Sequence, residues 1–221
     1  MRLAILGGTG DVGEGLALRF AYDSDHEIVI GSRDPERAQG KAAEYETELE
    51  SRGVDRKLTG FANEMAADRA DVVILAVPPA HVAAVIEEVA PRLDEDTIVV
   101  TPAVGMERDG GFFRYSPPES GSVAELVAAT VPDPVRVVGA FHNLSADRLA
   151  NLDLTFDLDT LIFGDDPDAK DVVAMLVEDV QGLRALDAGP LENAPVVEAL
   201  TPLLVTLGMY NDAHDLGVKF Q

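Results

Sequence analysis

Between an apolar run at positions 2–6 and a helical pattern at 12–22, the chain reads Leu6-Gly7-Gly8-Thr9-Gly10-Asp11-Val12-Gly13. Gly8, Gly10 and Gly13 have the G-x-G-x-x-G spacing, and a strand before it with a helix after it is the context of a dinucleotide fingerprint. In such a turn Gly8 is expected to make the sharp bend, Gly10 to let backbone approach a pyrophosphate, and Gly13 to let the helix pack on the strand. Thr9, Asp11 and Val12 complete the loop, and the amino end of the helix presents N–H groups and a positive dipole end to an anion. A chain built this way starts a parallel sheet with helices on both faces.

The end of a second strand then carries the choice of nucleotide. An acidic residue there would hydrogen-bond a ribose 2′-hydroxyl. This chain reads Ile30-Gly31-Ser32-Arg33 instead, with Arg37 one helical turn on. A hydroxyl and two guanidiniums suit a 2′-phosphate, so NADP is expected over NAD. Asp34 and Glu36 leave open that these arginines only pair with neighbours on a surface helix. Further along, Val77 and Pro78 end the third long apolar run at the sheet edge where a dinucleotide lies. His81 follows at a helix start, and His142 and Asn143 emerge after the run at 135–139. His142 is a candidate for positioning a substrate, or a structural histidine at a strand end.

Apolar runs at 2–6, 27–30, 71–77, 97–101 and 135–139 alternate with helical patterns at 12–22, 35–52, 63–69, 80–92 and 122–130. Near-continuous Val, Ile and Leu suit strands covered on both faces, and the alternation predicts an α/β fold with a Rossmann-type, doubly wound parallel sheet. Beyond residue 150 the pattern shortens: strand at 158–164, helix at 168–181, strand at 183–187 and an apolar helix at 196–209, kinked at Pro202. We therefore expect a nucleotide-binding domain over 1–150 and a small carboxyl-terminal α/β domain over 151–221. The Gly/Pro-containing stretch 104–120 is expected as a long connection over a ligand.

The 221 residues include 17 basic and 40 acidic ones, a formal charge of −23. A surface this acidic argues against nucleic acid or an anionic membrane as partner. Its dispersed carboxylates suggest salt adaptation, because molar salt shortens the screening length to about 3 Å. The chain has no cysteine and four scattered histidines, so neither a disulfide, a thiol nucleophile nor a metal site is expected. No apolar stretch approaches the roughly 18 residues of a membrane span, and the amino end lacks the layout of a signal peptide; a cytoplasmic location is expected. With no nucleophile–base grouping visible, the chemistry is expected to come from a borrowed cofactor.

The segments MRLAILGGTGDVGEGLALRFA, HEIVIGSRDPERA, KAAEYE, FHNLSADRLANLD, GDDPDAKDVV, GLRALDAGPLENAPVVEALTPLL and DLGVKFQ together resemble the archaeal NADPH-dependent reductases of coenzyme F420, over essentially the whole chain. The resemblance implies hydride exchange between NADP(H) and the deazaflavin F420, with NADP held at Thr9, Gly10, Asp11, Val12, Ser32, Arg33 and Arg37. It implies a nicotinamide wall at Val77 and Pro78, and a deazaflavin cleft near His142 and the last helix. It also implies a homodimer that covers the apolar helix, and leaves Arg114, Arg148 or Lys219 to meet the anionic F420 tail. The chain departs from the family pattern at His142-Asn143-Leu144-Ser145, where His-Thr-Ile-Pro is usual. That departure keeps two alternatives in view: an NADP-dependent reductase of a flavin, quinone or imine, and a non-catalytic NADP-sensing protein.

Overall fold

Apolar runs too continuous for a half-exposed strand become strands buried on both faces. The computed structural model describes residues 1–221. Its strands are β1 (Arg2–Leu6), β2 (Glu27–Ser32), β3 (Leu58–Ala62), β4 (Val72–Leu75), β5 (Ile98–Thr101), β6 (Met106–Asp109), β7 (Phe112–Tyr115), β8 (Arg136–Gly139), β9 (Leu158–Ile162) and β10 (Leu183–Asp187). Six of them form one parallel sheet in the order β3-β2-β1-β4-β5-β8, which is the doubly wound Rossmann order. Leu6 pairs in register with Gly31 on one side and Leu75 on the other. The glycine turn, the Ser32–Arg33 corner and Ala76–Pro78 therefore leave the sheet at adjacent points on its carboxyl edge.

The helices are α1 (Asp11–Asp23), α2 (Pro35–Ser51), α3 (Asn63–Ala67), α4 (Val82–Val89), α5 (Val123–Thr130), α6 (Ala146–Ala150), α7 (Pro167–Asp179), α8 (Ala194–Glu198) and α9 (Leu200–Asn211). Alternate residues of the strands feed two cores. Leu3, Ile5, Ile28 and Ile30 face α1, α2 and α7, whereas Ala4, Leu6, Val29 and Val73 face α3, α4 and α5. The first of these cores runs on past residue 150 to Phe156, Ile162, Val173 and Leu176. There β9, α7 and β10 make a small parallel βαβ unit, tied to the main sheet by an antiparallel bridge between Gly139 and Phe163.

A buried arginine strengthens that junction. Arg19 of α1, 2% exposed, donates from Nε to the Leu149 carbonyl at 2.9 Å and from Nη2 to that of Leu154 at 2.9 Å. Its guanidinium lies over the Phe156 ring. A planar five-donor group is suited to satisfying several loop carbonyls at once.

Three expectations are corrected. Strand β3 lies in a stretch with no strand pattern. The connection at 104–120 is largely an antiparallel hairpin, β6 with β7, whose Phe113 N–H and C=O both bond the Thr206 hydroxyl of α9. The apolar helix at 196–209 is interrupted at Ala199, giving α8 and α9. Pro202 sits in the first turn of α9, where a missing N–H costs nothing. Leu203, Val205, Leu207, Met209 and Tyr210 of α9 are exposed. No helix is long and apolar enough to cross a membrane.

Candidate active site

The turn after β1 is shaped by contacts that exclude side chains. Gly7, not Gly8, takes the left-handed conformation, with φ of +79°, and a Cβ there would stand 2.4 Å from the Ala76 carbonyl oxygen. The expected bend thus moves one residue upstream. Gly8 is glycine because a Cβ would come within 2.8 Å of Ile5 O. At Gly13 a Cβ would lie 2.3 Å from Gly7 O, which is the close helix–strand packing expected of the third glycine. Gly10 is different: the nearest atom to a Cβ would be 3.4 Å away. The chain itself leaves that position room, so its glycine opens the cleft side of the turn.

Gly10 is also the N-cap of α1 and makes no side-chain cap hydrogen bond. The first-turn N–H groups of α1 are therefore left for an anion. The turn is braced from behind by Tyr45 of α2, a buried phenol donating to the Gly8 carbonyl at 2.9 Å and to Glu14 at 3.2 Å. Burial, reinforced by Glu14, pushes its pKa up, so it stays a donor. Tyr45 lies in the segment KAAEYE that shares in the family resemblance, but its role is not legible there, because it reaches the turn from 37 residues away.

At the Ser32 corner, the alternative of local ion pairing is not what forms. Asp34 caps α2, accepting from the N–H groups of Glu36 at 3.0 Å and Arg37 at 3.2 Å. Arg33 is exposed and has no hydrogen-bond or carboxylate partner. Arg37 donates to the Thr9 carbonyl at 3.3 Å, which joins this corner to the glycine turn. Ser32 is nearly buried, its hydroxyl accepting from Asp34 N–H at 3.2 Å. Most of the chain's other cations are tied to carboxylates, whereas Arg33 stands unpaired beside Arg37 and Ser32, a locally basic corner on an acidic chain.

From Gly10, Asp11 and Val12 a cleft of about 970 Å³ extends past Ala76, Val77 and Pro78 to the loop 141–146 and the segment 212–216. Its size suits a small-molecule site. The sequence candidates Val77, Pro78 and His142 meet there, whereas His81 is exposed outside it. His142 is 4% exposed and neither ring nitrogen has a hydrogen-bond partner. Its ring lies 5.4 Å from that of Phe163, and burial, only partly opposed by the Ala140 backbone, pushes its pKa down to about 4. The imidazole is neutral at pH 7. Its carbonyl accepts from the Thr201 hydroxyl at 2.7 Å.

The three cations held in reserve for an anionic tail are engaged elsewhere. Arg114 pairs with Glu107 within the hairpin, Lys219 with Asp157 at 2.6 Å, and Arg148 donates to the Asp215 carbonyl at 3.2 Å. None of them lines the cleft.

The chain is similar to proteins of known family. The family described as NADP oxidoreductase, coenzyme F420-dependent matches residues 2–105. The F420-dependent NADP reductase of Methanocaldococcus jannaschii is 38% identical over 221 residues, covering 99% of this chain and 97% of the relative. That of Methanothermobacter marburgensis is 39% identical with the same coverage. Among solved structures, an Arthrobacter sp. FB24 protein assigned as an F420-dependent NADP reductase superposes with a TM-score of 0.81 at 26% identity, covering 100% of this chain and 99% of its own. A pyrroline-5-carboxylate reductase from Coxiella burnetii, at 20% identity and a TM-score of 0.56 over 84% of this chain and 58% of its own, shares the fold. With 38% and 39% identity to two archaeal relatives from end to end, the chain belongs to the family of F420-dependent NADP reductases.

Proposed function

We propose that this protein transfers a hydride between NADP(H) and coenzyme F420. The observation that carries the reading is the continuity of an unpaired Arg33 and Ser32 corner, a glycine turn with an uncapped α1 amino end, and an adjoining largely apolar cleft. The cradle fits a dinucleotide phosphate: a Cβ at Gly10 would meet only Gly7 O, at 3.4 Å, and the N–H groups behind it lack a cap. Ser32, Arg33 and Arg37 hold the 2′-phosphate, and Gly7 to Gly13 hold the pyrophosphate. Val77 and Pro78 give the nicotinamide an apolar wall. The two bound coenzymes supply a hydride donor and a hydride acceptor, so the reaction needs no side-chain nucleophile. The chain's task is to hold two carbon centres about 3–3.5 Å apart in a dry site.

In this reading residues 1–150 bind NADP and residues 151–221 complete the deazaflavin cleft, with the neutral, buried His142 positioning the second substrate by packing. The exposed Leu203, Leu207 and Tyr210, which share one face of α9, are covered by a second copy of the chain in a homodimer, since an apolar face of this kind favours association. Both substrates are water-soluble anions, which supports a cytoplasmic location. Mixing the protein with NADPH and oxidised F420 tests the reaction: the deazaflavin absorbance bleaches as NADPH is consumed. An unchanged deazaflavin band would overturn the F420 assignment. NADPH oxidation by a flavin, quinone or imine in its place would assign the other acceptor, and no oxidation at all would favour a sensing role.

A further inference from the structure

The far wall of the cleft is the carboxyl-terminal segment 212–216, a strap with no regular secondary structure that runs between α9 and the start of β9. Two of its residues, Asp212 at φ +49° and Asp215 at φ +55°, are left-handed and not glycine. Asp212 is the left-handed C-cap of α9, and Asp215 is held by contacts that are identifiable. Asp215 accepts from the Ser145 hydroxyl at 2.5 Å through its carboxylate and from Arg148 through its carbonyl.

Past Gly217 the strap is anchored to a single residue of β9. The N–H of Asp159 donates to Val218 O at 2.8 Å, and its carboxylate accepts from Phe220 N–H at 2.6 Å. That carboxylate is fully buried and also accepts from Arg184 Nε and Nη2, both at 2.8 Å, while Arg184 Nη2 bonds Phe220 O at 2.7 Å. The opposite wall is tied to the same place. Asn143, 2% exposed, donates to the Asp159 carbonyl at 2.8 Å and accepts from the Thr160 hydroxyl at 2.8 Å. Asp159 thus carries both walls of the cleft while touching neither its interior nor the nucleotide turn.

We propose that Asp159 and Arg184 are positioning residues for the second substrate, setting the strap 212–216 against the His142 loop. Fully buried charge placed only to stabilise is a weak device, whereas buried, fully satisfied polar networks fix one arrangement. The inference rests on the F420 reading of the cleft. A wall displaced by about 1 Å can cost on the order of a hundredfold when it aligns reacting groups, and NADP, bound mostly at the other end of the cleft, does not depend on this wall.

The test is steady-state kinetics of the full-length Arg184→Ala, Arg184→Lys and Asp159→Asn proteins, with amide hydrogen exchange across 212–218. Arg184 is about half exposed, but Arg184→Ala leaves the buried Asp159 carboxylate without its cation, so the Arg184→Lys protein, which keeps a cation there, carries the test if the alanine variant does not fold. We expect the KM for F420 to rise about tenfold or more in Arg184→Ala and Asp159→Asn. The KM for NADPH should stay within about twofold, strap amides should exchange faster, and Arg184→Lys should fall between. Lys219→Ala, which removes only a surface pair, should behave as wild type. Unchanged F420 KM in both disrupted variants, or equal rises for the two coenzymes, overturns the positioning role. Wild-type protein that never turns over F420 overturns the reading beneath it, and with it this inference.

Discussion

At the residue scale the decisive groups are an exposed arginine and a buried histidine. Arg33 is unpaired in a chain with 40 acidic residues, so Arg33→Ala should weaken NADP(H) far more than NAD(H). A charged hydrogen bond of roughly 1.5–3 kcal/mol corresponds to about a tenfold to hundredfold loss of affinity. Titration with both nucleotides checks this, and equal losses would make Arg33 structural. His142 has its pKa lowered from 6.5 to about 4 in the fold. Between those values the unfolded chain binds a proton that the folded chain refuses. Stability is therefore fully present above pH 6.5 and lost as pH falls toward 4, by up to roughly 3 kcal/mol. His142→Leu should flatten that part of the stability–pH curve; an unchanged curve would show that the ring is not buried as described. The residues legible in the sequence were those in a local motif, Gly8 to Gly13 and Ser32 to Arg37. Tyr45 and Arg19 were not, because their partners lie 37 and 130 residues away.

At the scale of elements, apolar runs predicted the strands that are buried on both faces and missed β3. That strand, LTGFA, contains Gly60, where a Cβ would meet the Ala38 carbonyl carbon at 2.3 Å. Close passage of α2 over the strand required the residue that weakens its strand pattern. The hairpin of β6 and β7 escaped for the opposite reason: its first strand is wholly exposed, so no burial pattern announces it. It is held instead by Glu198 of α8, 1% exposed, which accepts from Val123 N–H at 3.1 Å, Ala124 N–H at 2.9 Å and the Tyr115 hydroxyl at 2.9 Å. Glu198→Ala should strand three donors and cost roughly 2–3 kcal/mol. Melting should fall by about 4–12 °C, with faster exchange in the hairpin. A change under 1 °C would mean that α9 alone holds the hairpin.

At the scale of the whole molecule, a charge of −23 makes self-repulsion a global term. Melting temperature should rise from low salt into the molar range as screening shortens to about 3 Å, and a flat or falling curve would contradict salt adaptation. In the proposed reading, the sheet edge, glycine turn and carboxyl-terminal strap align two coenzymes with no protein group relaying the hydrogen. The most direct test uses NADPH carrying deuterium at both C4 positions in ordinary water, with mass analysis of the reduced F420. Direct transfer predicts one deuterium in each molecule of product; hydrogen derived only from solvent would contradict the account.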